Sequence, residues 1–233
     1  MQIAFTIVDC FGIHPNLKTP RQWDSSCEAH PLSAPSLLPM MTARRLSSGC
    51  RYAVECAMQL SKAQTFDAVV FASRHAEMPR GEKILVNIAK DCDPSPTDFT
   101  MSVHNAAAGV FTIQNKLHIP ASSVAAGPNT WEAALFEATN FLANGKSRVL
   151  IVDYENALPP LLGSRLPPQA QTYAFAMLIK AGEGCSGTSE PIAEQEPSEP
   201  DVVQFFRNYL SGCATFSVTS GNRCWHWKCS HDE

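Results

Sequence analysis

Three short, continuous apolar runs, at Asp67–Ala72, Ser147–Asp153 and Thr172–Lys180, narrow the folds open to this chain more than any other feature. Each is too short for a buried helix, and its successive positions are too apolar for a strand with one wet face. Such runs suit strands covered on both sides. Ile3–Val8 is a further β-leaning run. Helical patterns lie between them. From Thr42 to Lys62, Ala43, Leu46, Cys50, Ala53, Ala57 and Leu60 recur every three or four positions as one buried stripe, with Arg44, Arg45 and Arg51 on the other faces. Pro79 ahead of Ile84, Leu85 and Ile88 marks a helix with proline in its first turn, where the missing N–H costs nothing. Asp93–Thr97 turns the chain, and the small residues of Ser102–Gly109 lead into a helix through Leu117. Asn129-Thr130-Trp131-Glu132 has the form of a capping box, opening a helix that Gly145 ends after Asn144. Strands alternating with helices predict a layered α/β core with a largely parallel sheet.

Two segments interrupt this alternation. From His14 to Met40 the chain carries Pro15, Pro20, Pro31, Pro35 and Pro39, a composition that predicts a surface excursion. Residues 183–200 are acidic, rich in Pro and Ser and free of aromatics, which predicts a linker or exposed loop between a unit at 1–182 and a tail at 201–233. In that tail Val202, Val203, Phe205, Phe206, Tyr209 and Leu210 form an apolar helical segment that must dock on the core. Cys224-Trp225-His226-Trp227 alternates like an edge strand.

With 18 Lys+Arg against 22 Asp+Glu, the net charge of −4 offers no basic footprint for nucleic acid or anionic lipid. Runs such as Val149–Val152 and Ala174–Ile179 are far short of the roughly 20 apolar residues of a membrane span. The first ten residues lack a basic n-region, so a cytoplasmic location is expected. Nine cysteines, an odd number irregularly spaced, argue against a disulfide framework, and Cys50 and Cys56 read as small apolar side chains. Cys224, His226, Cys229 and His231 fall close together. Their alternation along a strand would not let four ligands converge on one zinc, so no metal is expected. Ser102 lies near His104, but no partner acid is evident for a hydrolytic triad.

The block Ser95-Pro96-Thr97-Asp98-Phe99-Thr100-Met101-Ser102-Val103-His104-Asn105-Ala106 resembles the β-ketoacyl synthase-like proteins of bacterial aryl polyene pathways, in particular their short chain-length-factor-like subunits. The similarity extends to Phe71-Ala72-Ser73-Arg74-His75, the Arg44-Arg45-Leu46 segment, Glu137-Ala138 with Gly145, and the tail around Phe205-Phe206 and Trp225-His226-Trp227. It implies a thiolase-type (ketosynthase) fold truncated to about its N-terminal half, with layered helices around a mixed, largely parallel sheet.

A decarboxylative condensing enzyme needs a thiolate at a buried helix N-terminus and two histidines that stabilise charge on the thioester carbonyl. Aligning Glu137-Ala138 and Gly145 with the corresponding ketosynthase helix puts the nucleophile position at Pro128, and no cysteine lies between Cys92 and Cys185. Proline has neither thiol nor N–H, and Glu132 in the first turn would disfavour a thiolate. The two histidines of such enzymes belong to the C-terminal half of the fold, whereas His226 and His231 sit in a tail of unrelated pattern.

The resemblance therefore implies a non-catalytic subunit that forms a heterodimer with an active β-ketoacyl synthase. The acyl carrier protein is met transiently, and no cofactor is held beyond the phosphopantetheine-bound acyl chains of the partner's carrier protein. Interface or acyl-tunnel candidates are Met101, Ser102, Val103, His104, Asn105, Ala106, Phe111 and Trp131. His104 reads either as a hydrogen-bonded structural histidine or as a group facing the interface or the acyl chain. Ser73-Arg74-His75 reads as a solvated strand end, an interface segment or a phosphopantetheine contact. The alternative function is a stand-alone acyltransferase or condensing enzyme using a non-standard cysteine.

Overall fold

A computed structural model describes residues 1–23, 37–159, 161, 171–195 and 199–231. Pro31 and Pro35 of the proline-rich excursion lie outside the described residues, as do residues 196–198 of the expected linker. The strands are β1 (Gln2–Ile13), β2 (Leu17–Thr19), β3 (Gln22–Trp23), β4 (Ala68–Ala72), β5 (Ala121–Val124), β6 (Val149–Glu155), β7 (Tyr173–Pro191), β8 (Thr215–Ser220) and β9 (Arg223–Cys229). The helices are α1 (Met40–Ala43), α2 (Ser48–Ser61), α3 (Met78–Ala89), α4 (Pro96–Thr100), α5 (Ala106–Gln114), α6 (Thr130–Ala143) and α7 (Asp201–Leu210), with a 3₁₀ turn at Gly127–Asn129.

The main sheet runs β5-β4-β6-β7-β9-β8, with β1 also paired to β7. It is mixed: β4 pairs in parallel with β5 and β6, and the remaining pairs are antiparallel. Every residue of β4 and β6 is buried, as continuous apolar runs require. Their side chains alternate between two cores. Val70, Ile151, Phe175 and Met177 face α6 and α7, while Val69, Phe71, Leu150 and Val152 face α2 and α5.

The stripe expected over Thr42–Lys62 is divided. Ser47 leaves helical geometry, and its Oγ accepts from the Cys50 N–H at 3.2 Å, so α2 restarts at Ser48. Cys50, Ala53, Cys56, Ala57 and Leu60 are all buried there. Gly49 lets α2 touch the end of β6: a Cβ at that position would lie 2.7 Å from the Glu155 carbonyl oxygen. Ser95 caps α4 by accepting from Asp98 N at 3.4 Å, so the expected turn is a short helix with Pro96 at its start. Asp98 in turn binds Arg80 at 2.7 Å and Lys83 at 2.5 Å, clamping α4 to α3.

Three expectations need correction. Residues 183–191 are strand rather than linker, because β1 and β9 flank this part of β7 and supply hydrogen bonds that its composition does not advertise. β9 is not an edge strand, since β8 lies outside it. Cys185 and Cys229, directly opposed on β7 and β9, form a disulfide. The other described cysteines are free, with Cys50 and Cys56 buried as small apolar side chains.

Candidate functional site

β5 leads through the 3₁₀ turn into α6, with Gly127 at φ +60° turning the chain and Pro128 at the position implied for a nucleophile. The capping box expected here does not form, and the Asn129 side chain makes no cap hydrogen bond. Thr130 closes the turn instead, its Oγ1 accepting from Ala126 N at 3.1 Å and donating to the Gly127 carbonyl at 2.7 Å. Asn129 and Glu132 are drawn away by the tip of the β8–β9 hairpin. There Ser220 Oγ lies 3.0 Å from Asn129 Oδ1, 3.1 Å from Glu132 Oε2 and 3.2 Å from Asp201 Oδ2, and donates to the Pro128 carbonyl.

A hydroxyl has one proton to give, so the remaining oxygens around Ser220 need a proton from elsewhere. Glu132 supplies it. Burial, reinforced by the neighbouring Asp201 charge, pushes Glu132 far above the usual carboxylate range and keeps it protonated, donating to Asp201. Burial also raises Asp201, against the bonds it accepts from Glu132 and from the Val202 N–H at 2.8 Å. Asp153 on β6 is raised by burial, then by the Asp201 and Glu155 charges, and accepts from Tyr173 Oη at 3.2 Å. The start of α6 is thus a buried, proton-sharing carboxyl cluster that joins tail to core. Its charge would oppose a thiolate.

A second polar centre lies at the ends of β4 and β6. Glu155 accepts from Ser73 Oγ at 2.9 Å, from Arg74 N and from His75 N at 3.1 Å, while burial lifts its pKa to about 7. Asn156 accepts from Gly49 N at 2.8 Å and donates to the Ala76 carbonyl at 2.9 Å. His104 Nε2 bonds the Ser73 carbonyl at 2.8 Å, tying the segment before α5 to the same loop. Ser73-Arg74-His75 is therefore anchored by Glu155 rather than being a free strand end.

The other predicted residues divide between surface and core. Met101 and Ser102 are half-buried, and Ser102 Oγ donates to the Phe99 carbonyl at 2.8 Å. Val103 and Asn105 are exposed. Ala106 and Phe111 are buried, Phe111 against Phe66 and Phe71 in the core beside α2. Trp131 is buried in the opposite core against Phe205 and Phe206. Phe111 and Trp131 thus lie on opposite faces of the sheet and do not line one cavity together. Sequence reasoning missed Asp153, Asp201 and Ser220; the only signal for the two aspartates was a carboxylate beside apolar residues, and Ser220 gave none.

Of the thiols, Cys10, Cys50 and Cys56 are all pushed up by burial, Cys10 to about 12, which suppresses thiolate formation. Cys229 is held in the disulfide, and Cys224 and His226 point to the face of β9 opposite to it. No helix among the described residues is long and apolar enough to cross a membrane.

The family described as the β-ketoacyl synthase N-terminal domain matches residues 18–228. The chain belongs to that family. A chain of the ketosynthase (ApeO) in complex with its chain length factor (ApeC) from Xenorhabdus doucetiae is similar at 36% identity and TM-score 0.87, over 97% of this chain and 99% of that one. The ishigamide ketosynthase/chain length factor is similar at 14% identity and TM-score 0.65, covering 90% of this chain and 74% of that one. A type II PKS acyl-carrier protein in complex with its ketosynthase bound to the hexaketide (AntDE:AntF) is similar at 13% identity and TM-score 0.56, again over 90% and 74%. These last two likenesses concern the fold alone. No curated protein sequence matches the chain. The fold is the thiolase-type ketosynthase fold that the motif block implied.

Proposed function

We propose that this chain is a chain-length-factor-like subunit of polyketide-type or aryl polyene chain elongation. It has no condensing activity of its own, pairs with an active β-ketoacyl synthase and shapes the acyl tunnel. The observation that carries this reading is the start of α6, where the Ser220 tip and protonated Glu132 occupy the space around Pro128, the residue at the position the resemblance implies for a nucleophile. The similarity to a chain of a ketosynthase/chain-length-factor complex supports it.

Among the described residues one side of β5 has no strand partner, which supports a partner on that edge, because an edge strand presents free N–H and C=O groups. α5, which packs on β5, leaves Ile113 (73% exposed) in water, and the segment before it leaves Phe99 (68%) and Val103 (49%) exposed, the kind of apolar surface a partner covers. Met101, Val103 and Ala106 remain tunnel candidates on this side, whereas Trp131 belongs to the tail-facing core. An acyl carrier protein would deliver phosphopantetheine-bound chains to the pair.

The test is reconstitution of the two purified subunits with carrier protein and malonyl units. The pair makes full-length product and the ketosynthase alone makes less or shorter product. Equal rate and length without this chain would sink the proposal.

A further inference from the structure

The geometry points to the Cys185–Cys229 disulfide as a redox latch that fastens the C-terminal helix and hairpin to the core, opened by a dithiol reductant. The bond joins directly opposed residues of β7 and β9, and both are nearly inaccessible, at 1% and 2% exposure. It closes a sequence separation of 44 residues that contains all of α7 and β8. Besides it the tail is held by the antiparallel pairing of β9 with β7, by packing of Phe205 and Phe206 on Trp131 and by the Ser220 hydrogen bonds at the start of α6. The latch therefore adds a covalent hold to those that keep the hairpin tip seated on Pro128 and Asn129.

Six other described cysteines are free thiols, including the half-exposed Cys213 and Cys224 and the exposed Cys92. A chain that keeps so many thiols unpaired fits surroundings that supply reductant, and a disulfide in such surroundings is typically reversible. Cys229 ends β9, next to exposed Ser230 and His231, so fraying of this end gives a reductant access. A thiolate of the reductant attacks Cys229 Sγ and breaks the S–S bond, and the Cys185 thiolate leaves and takes up a proton. The reductant's second thiol then attacks the mixed disulfide, releasing the Cys229 thiolate, which is protonated in turn. Two electrons pass to the protein's sulfurs, and the dithiol ends as its own disulfide.

Closing a loop of this length shifts the open-to-closed ratio of the tail by roughly 10²–10³-fold. The experiment is limited trypsin digestion of the full chain, with and without dithiothreitol, with mass-spectrometric mapping of iodoacetamide-labelled cysteines. Without reductant, a linked 185/229 peptide pair is recovered and cleavage after Arg223 and Lys228 is slow. Dithiothreitol exposes both thiols to labelling and accelerates those cleavages at least tenfold. Cys185→Ser shows the fast pattern without reductant and no further response, while Cys224→Ser responds as the unaltered chain does. Labelling of Cys185 and Cys229 in protein never exposed to reductant overturns the inference, as does digestion of the tail that ignores dithiothreitol.

Discussion

Replacing Glu132 by Gln tests the proton-sharing cluster directly. In the folded chain Glu132 is 5% exposed and protonated at neutral pH, whereas in the unfolded chain it ionises near its ordinary value of 4.5. A folded pKa above the unfolded one means that the native state binds the extra proton. The stabilisation is then complete below the unfolded pKa and is lost progressively as pH rises towards the folded one. One proton held in this way tilts the unfolding free energy by about 1.4 kcal/mol per pH unit. Between pH 5 and pH 8 Glu132 alone accounts for a decline approaching about 4 kcal/mol. Gln is close in shape, keeps an N–H to donate to Asp201 and does not titrate. Urea denaturation of both proteins across this range should show the Glu132→Gln curve flatter by nearly one proton, with the variant gaining stability relative to the unaltered chain as pH rises. Asp153 and Glu155 add slope in the same direction to both proteins and largely cancel in the difference. Parallel curves would show that Glu132 is ionised in the folded chain, and the account of the α6 start would fail.

Gly49→Ala places a methyl group 2.7 Å from the Glu155 carbonyl oxygen, which is backbone that cannot swing aside. A loss of about 1–3 kcal/mol is expected from urea melts, the range for overpacking a tight contact. Ile113→Asp puts a charge on a side chain that is 73% exposed, so the isolated chain should keep its thermal midpoint. Its affinity for the co-expressed ketosynthase should fall at least tenfold in pull-down or calorimetry, and unchanged affinity would place the partner elsewhere.

Local pattern determined much of this protein. The buried runs became β4, β6 and the first part of β7, the spacing of Cys50, Ala53, Ala57 and Leu60 became the buried face of α2, and Gly145 ends α6 at φ +87°. Periodicity and turn chemistry act over a few residues, so they survive without knowledge of the fold. That no cysteine lies between Cys92 and Cys185 was equally legible, because the absence of a residue type needs no coordinates. Tertiary structure alone decided what depends on distant chain segments meeting. Glu132, Asp153, Asp201 and Ser220 come from α6, β6, α7 and the hairpin, and only their shared burial changes their protonation and dissolves the apparent capping box. The polar stretch 183–191 becomes strand because β1 and β9 border it, and the same pairing brings Cys185 against Cys229. Hydrogen bonds between strands, proton sharing and disulfides are long-range in sequence but short-range in space, and no local pattern carries that information.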